Sequence, residues 1–198
     1  MDMDFNTAEK QVSFELIPAG TLAPIMMSIK FGGHGSDGSL TQSKTSDVLF
    51  LNVEFTVMEG AYAKRKIFQN LTVSGGGVDD KGRSKGGTIT KSFLRAVIDS
   101  AYGLDPDDDS PASRQKRIKN SYGDFNQMIF LGKVGIETGK NGYAAKNKIL
   151  EAITKGHKSY GDAASSPAPA VATPAFAQAQ ASPAPTGATG NALPSWAR

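Results

Sequence analysis

Ala63-Lys64-Arg65-Lys66-Ile67-Phe68-Gln69-Asn70-Leu71-Thr72-Val73 alternates between two kinds of side chain. Alternation with a period of two is the signature of a strand with one face on a core. Arg65, Ile67, Gln69, Leu71 and Val73 form a mostly apolar face, expected to point inward. Lys64, Lys66, Phe68, Asn70 and Thr72 form the other. Two lysines and a ring on an exposed strand face supply what single-stranded nucleic acid needs, cations for phosphates and a flat surface for a base. The same spacing also allows Phe68 to cover a small second core beneath the loops.

The pattern extends upstream. Over 21–31 the odd positions Ala23, Ile25, Met27, Ile29 and Phe31 read as a core face, and over 48–58 Leu49, Leu51, Val53, Phe55 and Val57 do the same. That register puts Phe50 on the outer face beside Phe68. Gly60 marks the turn into a third strand over 62–73, and the glycine-rich 32–38 joins the first two strands. After a glycine-rich stretch over 74–87 the period changes. Ile89, Phe93, Leu94, Val97, Ile98, Ala101 and Tyr102 follow helical spacing, with Gly103 placed to end the helix. An irregular stretch over 105–121 follows, in which Ser110-Pro111 is suited to start a short helix. Two further strands, over 130–138 and 143–153, flank Gly139-Lys140-Asn141-Gly142, a hairpin signal. Asp124 to Met128 fits a helical turn or the start of the fourth strand.

Three strands, a helix and a hairpin give a mainly β protein. The order is that of a five-stranded, OB-fold-like Greek-key barrel with one helix between strands 3 and 4. An open antiparallel α+β sheet fits the same pattern. In an OB-fold, strands 2 and 3 and the loops joining strands 1–2 and 4–5 form the nucleic-acid groove. The hairpin would then add Lys133, Lys140, Tyr143, Lys146 and Lys148 to Phe50, Lys64, Lys66 and Phe68.

Composition bounds the rest. A chain of 198 residues allows one ordinary domain and a tail. Residues 161–198 hold 13 Ala and 6 Pro, with only Asp162 and Arg198 charged. Such a segment buries too little apolar surface to offset its ordering entropy, so we expect a folded domain over 1–160 and a disordered Ala/Pro-rich tail over 161–198. The net charge of +3 is unevenly spread. Residues 1–59 carry eight acids and three bases, 60–95 eight bases and two acids, and 133–158 six bases and two acids. Two basic segments brought to one face would suit a polyanion. With no cysteine, and with His34 and His157 far apart, no Cys-based or paired-His metal motif exists. No apolar run suits a membrane span, and Met1-Asp2-Met3-Asp4-Phe5 is not a signal peptide, so the expected location is the cytoplasm.

Three apparent motifs carry no chemistry. Gly77-Val78-Asp79-Asp80-Lys81-Gly82-Arg83-Ser84 imitates P-loop spacing, but Arg83 stands where the phosphate lysine belongs. Asp105-Pro106-Asp107-Asp108-Asp109 lacks the central glycine and distal glutamate of a calcium loop and reads as a solvated acidic turn. Neither histidine has a Ser or acid beside it that suggests a catalytic set. We expect no enzyme activity, no cofactor and no metal.

The chain resembles a family of phage-encoded proteins that includes single-stranded DNA-binding proteins with an OB-fold. Four places carry the resemblance: Leu16-Ile17-Pro18-Ala19-Gly20 before the first strand, Gly60 followed by Arg65-Lys66-Ile67-Phe68-Gln69-Asn70-Leu71, Leu131-Gly132-Lys133-Val134, and Asn147-Lys148-Ile149. It covers about residues 12–155. The resemblance implies a protein that coats single-stranded DNA in phage replication or recombination, in the host cytoplasm. The tail, separately, resembles the linker of bacterial single-stranded DNA-binding proteins, which ends in an acidic, Phe-tipped peptide that recruits partners. Here the tip is Ala192-Leu193-Pro194-Ser195-Trp196-Ala197-Arg198, aromatic but basic, so that docking chemistry does not carry over and only Trp196 suggests docking of replication or recombination proteins. The alternative is a non-enzymatic OB-like adaptor that binds protein. Neither reading assigns an oligomeric state.

Overall fold

A computed structural model describes residues 15–139 and 144–160. The chain separates into Met1–Ala168 and Pro169–Arg198, and every described residue lies in the first unit. The expected disordered tail, with Trp196, and the hairpin residues Lys140 and Tyr143 lie outside the described residues.

The strands are β1 (Leu22–Lys30), β2 (Thr41–Gln42), β3 (Leu49–Val57), β4 (Lys66–Ser74), β5 (Met128–Glu137) and β6 (Lys146–Ala152). Helices α1 (Lys85–Ala101) and α2 (Pro111–Arg117) and a 3-10 turn (Tyr122–Phe125) stand between β4 and β5. The protein is mainly β, and its named strands pair antiparallel. β1 lies between β3 and β5, β4 flanks β3, β6 flanks β5, and the two-residue β2 pairs the start of β3. Five expected strands therefore become six, because 41–42 pairs with Leu49 and Phe50.

The backbone ladder leaves a seam between β4 and β6. Side chains bridge it. The Ile149 amide donates to Gln69 Oε1 at 3.0 Å. Nearby, the Asn147 carboxamide accepts from the Ile17 amide at 2.9 Å and donates to the Ile17 carbonyl at 2.8 Å. Ile17 is thereby held in the core, 1% exposed. Each such bond satisfies a backbone group that the missing ladder would leave unpaired.

Alternation placed most of the core correctly. Ile25, Met27, Ile29, Leu51, Val53, Phe55, Val57, Ile67 and Leu71 are all buried. Phe31 is not; it is 57% exposed. β1 ends at Lys30, and a Cβ on Gly32 would sit 2.7 Å from the Leu40 carbonyl oxygen, so the chain turns closely there and the period stops. The third long strand starts at Lys66 rather than 62. Residues 61–64 form a turn in which Lys64 takes φ +67° and donates its amide to the Val57 carbonyl at 2.7 Å. A left-handed lysine costs about 1–2 kcal/mol, offset here by the two bonds that link Val57 to Lys64 and Arg65.

Ser84 caps α1 by accepting from the Gly87 amide at 3.1 Å. A Cβ on Gly87 would lie 2.3 Å from the Val73 carbonyl oxygen, so glycine is what lets this helix approach β4. Phe93 then meets Phe55 and Phe130 edge-on, all three centroid distances lying between 6.1 and 6.3 Å. Ring pairs of this geometry add about 0.5–1.5 kcal/mol each beyond area burial.

The expectation of a single helix between the third and fourth long strands is corrected. Ser110 does cap α2, and Arg117 at its end anchors the segment. The Arg117 guanidinium donates from Nε to buried Asp99 at 2.7 Å, from Nη1 to the Asp108 carbonyl at 2.6 Å and from Nη2 to the Asp105 carbonyl at 2.8 Å. The acidic turn is therefore organised through its backbone rather than merely solvated. Bonds from the Ser113 hydroxyl and then the Ser110 amide hold the Asp108 carboxyl down at about 2. Among the described residues no helix is long and apolar enough to cross a membrane.

Replacing Asp99 with Ala would leave Arg117 without its buried counter-charge. Chemical denaturation should then show a loss of roughly 3–5 kcal/mol, whereas Asp109→Ala, on an exposed pair, should change little. Asp108 supplies a pH test. Its carboxyl is more acidic folded than unfolded, so its contribution is present above about pH 4 and fades as pH falls through about 2. The stability gap between wild type and Asp108→Asn, measured by urea midpoints, should accordingly be largest near neutrality and close below about pH 2.

Candidate nucleic-acid interface

The outer face of β3 and β4 is fixed by register. Phe50 stands opposite Thr72, Asn52 opposite Asn70, Glu54 opposite Phe68 and Thr56 opposite Lys66. Phe68 is 53% exposed, so it does not cover a second core. Phe50 is half-buried on the same face, four residues along β3 from Glu54, which is about 13 Å at strand rise. The face thus presents two rings spaced along one strand direction.

At the seam, Phe68, Gln69 and Asn70 of β4 face Glu137 of β5 and Lys146 and Lys148 of β6 across a cleft of about 470 Å³. The Gln69–Ile149 bond holds the two walls together. Lys146 pairs with Glu137 at 3.2 Å. Lys148 makes no ion pair among the described residues. A ring and two cations from opposite ends of the sheet path therefore converge.

Other expected residues lie elsewhere. Lys133 stands opposite Leu22 and pairs with Glu151 at 2.9 Å. Leu22 is six residues along β1 from Ser28, the neighbour of Glu54, so Lys133 is roughly 20 Å from Phe68 along the strands. Lys64 is exposed in its left-handed turn, off the strand face on which alternation placed it. Lys66 is on the face but bound to Glu54 at 2.7 Å.

Sequence reasoning missed Lys30, and it placed Asn70 on the outer face without assigning it to the site. The Lys30 ammonium lies 4.9 Å from the Phe68 ring centroid and 3.9 Å from Glu54. Its signal was its even position in β1: the odd positions are inward, so Lys30 ends the outward set that crosses to Asn52.

A second hollow, about 510 Å³, lies between α1 and α2 and is also basic. There Arg117 and Arg95 serve Asp99, and Arg114 faces Asp109 at 3.7 Å. Those arginines hold the helix pair. Lys91 of the same hollow, like Lys148 at the seam, makes no ion pair among the described residues, but among the rings of that hollow none is exposed as Phe68 is at the seam. No protein-family model matches the chain, and no curated protein matches its sequence. The site therefore stands on its geometry.

Because Phe68 is exposed, Phe68→Ala should shift unfolding free energy by no more than about 0.5 kcal/mol in a thermal or urea melt. A loss of several kcal/mol would place the ring in a packed core.

Proposed function

We propose that this protein binds single-stranded DNA without strong sequence preference, as a non-enzymatic coat protein of phage replication or recombination acting in the host cytoplasm. The carrying observation is the convergence of Phe68 with Lys146 and Lys148 in one cleft. Rings stack on any base and ammonium groups meet any phosphate, so the arrangement favours tolerance of sequence. The pairings also support an OB-fold assignment. β1, β3, β4, β5 and β6 pair as its five strands would, with α1 between the third and fourth, and the seam corresponds to the partly open side of such a barrel. In that arrangement the β3–β4 face is the binding face, with Phe50 and Lys66 extending the cleft along it.

Fluorescence titration with oligo-dT at several salt concentrations tests the proposal. Affinity should fall linearly on log–log axes, and Lys146→Ala/Lys148→Ala should reduce the slope by about 1.4, at 0.7 for each phosphate no longer neutralised. Phe68→Ala should cost about 1–3 kcal/mol of binding. Salt-independent binding, or none, would favour the protein-binding adaptor instead.

A further inference from the structure

Among the outward residues of β3 and β4, Glu54 alone is acidic, and it stands directly opposite Phe68. A carboxylate is out of place on a surface meant for phosphates. Its side chain is only 17% exposed, and each oxygen serves a different lysine. Oε1 lies 2.7 Å from Lys66, and Oε2 lies 3.9 Å from Lys30. Lys30 in turn lies over the Phe68 ring at 4.9 Å. These residues form one unit: the acid holds both cations, and one of those cations covers the ring.

We propose that Glu54 is a built-in competitor of the phosphate backbone, which keeps Lys30 and Lys66 engaged in the free protein and so weakens and shortens DNA binding. The inference rests on the single-stranded DNA reading given above. A phosphate reaching either lysine must displace the carboxylate or share its cation with it. A base stacking on the covered side of Phe68 must move Lys30. Both steps set work against association and assist release, because the carboxylate stands ready to take each lysine back. A different role, accepting a hydrogen bond from an exocyclic base amine, is disfavoured because both oxygens already face ammonium groups.

Glu54→Gln keeps the shape and removes the charge. On oligo-dT, which has no exocyclic amine, the variant should bind roughly two- to thirtyfold tighter at low salt, the range set by freeing two part-exposed ion pairs. Its salt slope should steepen by up to about 1.4, again at 0.7 per released lysine, and dissociation should slow. In a Lys30→Ala/Lys66→Ala background the same substitution should give a clearly smaller gain, limited to removal of the carboxylate's own repulsion of phosphate. Glu54→Thr, neutral and suited to a strand, repeats the measurement should the Gln variant fold poorly.

Equal or weaker binding of oligo-dT by the variant overturns the proposal. So does a gain that is undiminished without the two lysines, which would be long-range charge alone. A loss confined to oligo-dC would make Glu54 a reader of base amines and overturn it as well. If wild type binds no oligonucleotide, both this inference and the DNA-binding reading fall. If wild type binds and only the Glu54 result fails, the DNA-binding reading stands.

Discussion

The amide of Ile149 donates to the side-chain oxygen of Gln69 across a gap that no backbone ladder closes. Asn147 does the same service for both polar groups of Ile17. The cleft of the proposed site depends on this substitution of carboxamides for main chain. The ladders through β5, β1 and β3 set β6 only at the far end of the sheet path from β4. The side-chain bonds close that path so that Lys146 and Lys148 stand across from Phe68. A fully paired seam would bring the two edges to ladder spacing, about 4.8 Å apart. Joining them through a side chain leaves the space that becomes the cleft.

The opposite side of the sheet is built on a different principle. There the apolar surface of α1 is pinned by three mutually perpendicular rings, and the segment after it is gathered by one guanidinium. Five positive side chains line that hollow, but its three arginines are already partnered by acids and carbonyls of the same region. On the helical side the arginines hold the fold, whereas Lys91 there and Lys148 at the seam make no ion pair among the described residues.

The sheet was legible because alternation is a local property. The inward sets of β1, β3 and β4 could be read from residue types alone, and Phe50, Lys66 and Phe68 fell on the outer face by the same rule. What escaped the sequence was tertiary. Lys64 left the strand because Val57 needs partners beyond the ladder. Phe31 left the core because the chain turns at Gly32. The stretch 105–117 looked irregular because its order comes from Arg117, whose partner Asp99 is eighteen residues away on another helix. Convergence of β4 with β6 was expected only through the order of the elements, which brings Lys146 and Lys148 toward Phe68. The bond that joins the two strands had no local signal, since Gln69 reads as an inward polar residue until Ile149 is placed beside it.

The Ile17–Asn147 bonds join residues 130 positions apart. Loop-closure entropy must be met before such a pairing contributes anything, and folds dominated by distant pairings assemble slowly. During synthesis the first four strands emerge long before Asn147 does. Until then the seam edge of β4 has no neighbour, and Ile17 has neither of its carboxamide bonds. For that interval the nascent chain displays an unprotected strand edge with Phe68 beside it, the kind of surface on which misassembly between chains begins. Lys66 and Asn70, flanking that ring along the edge, are then already in place to discourage it.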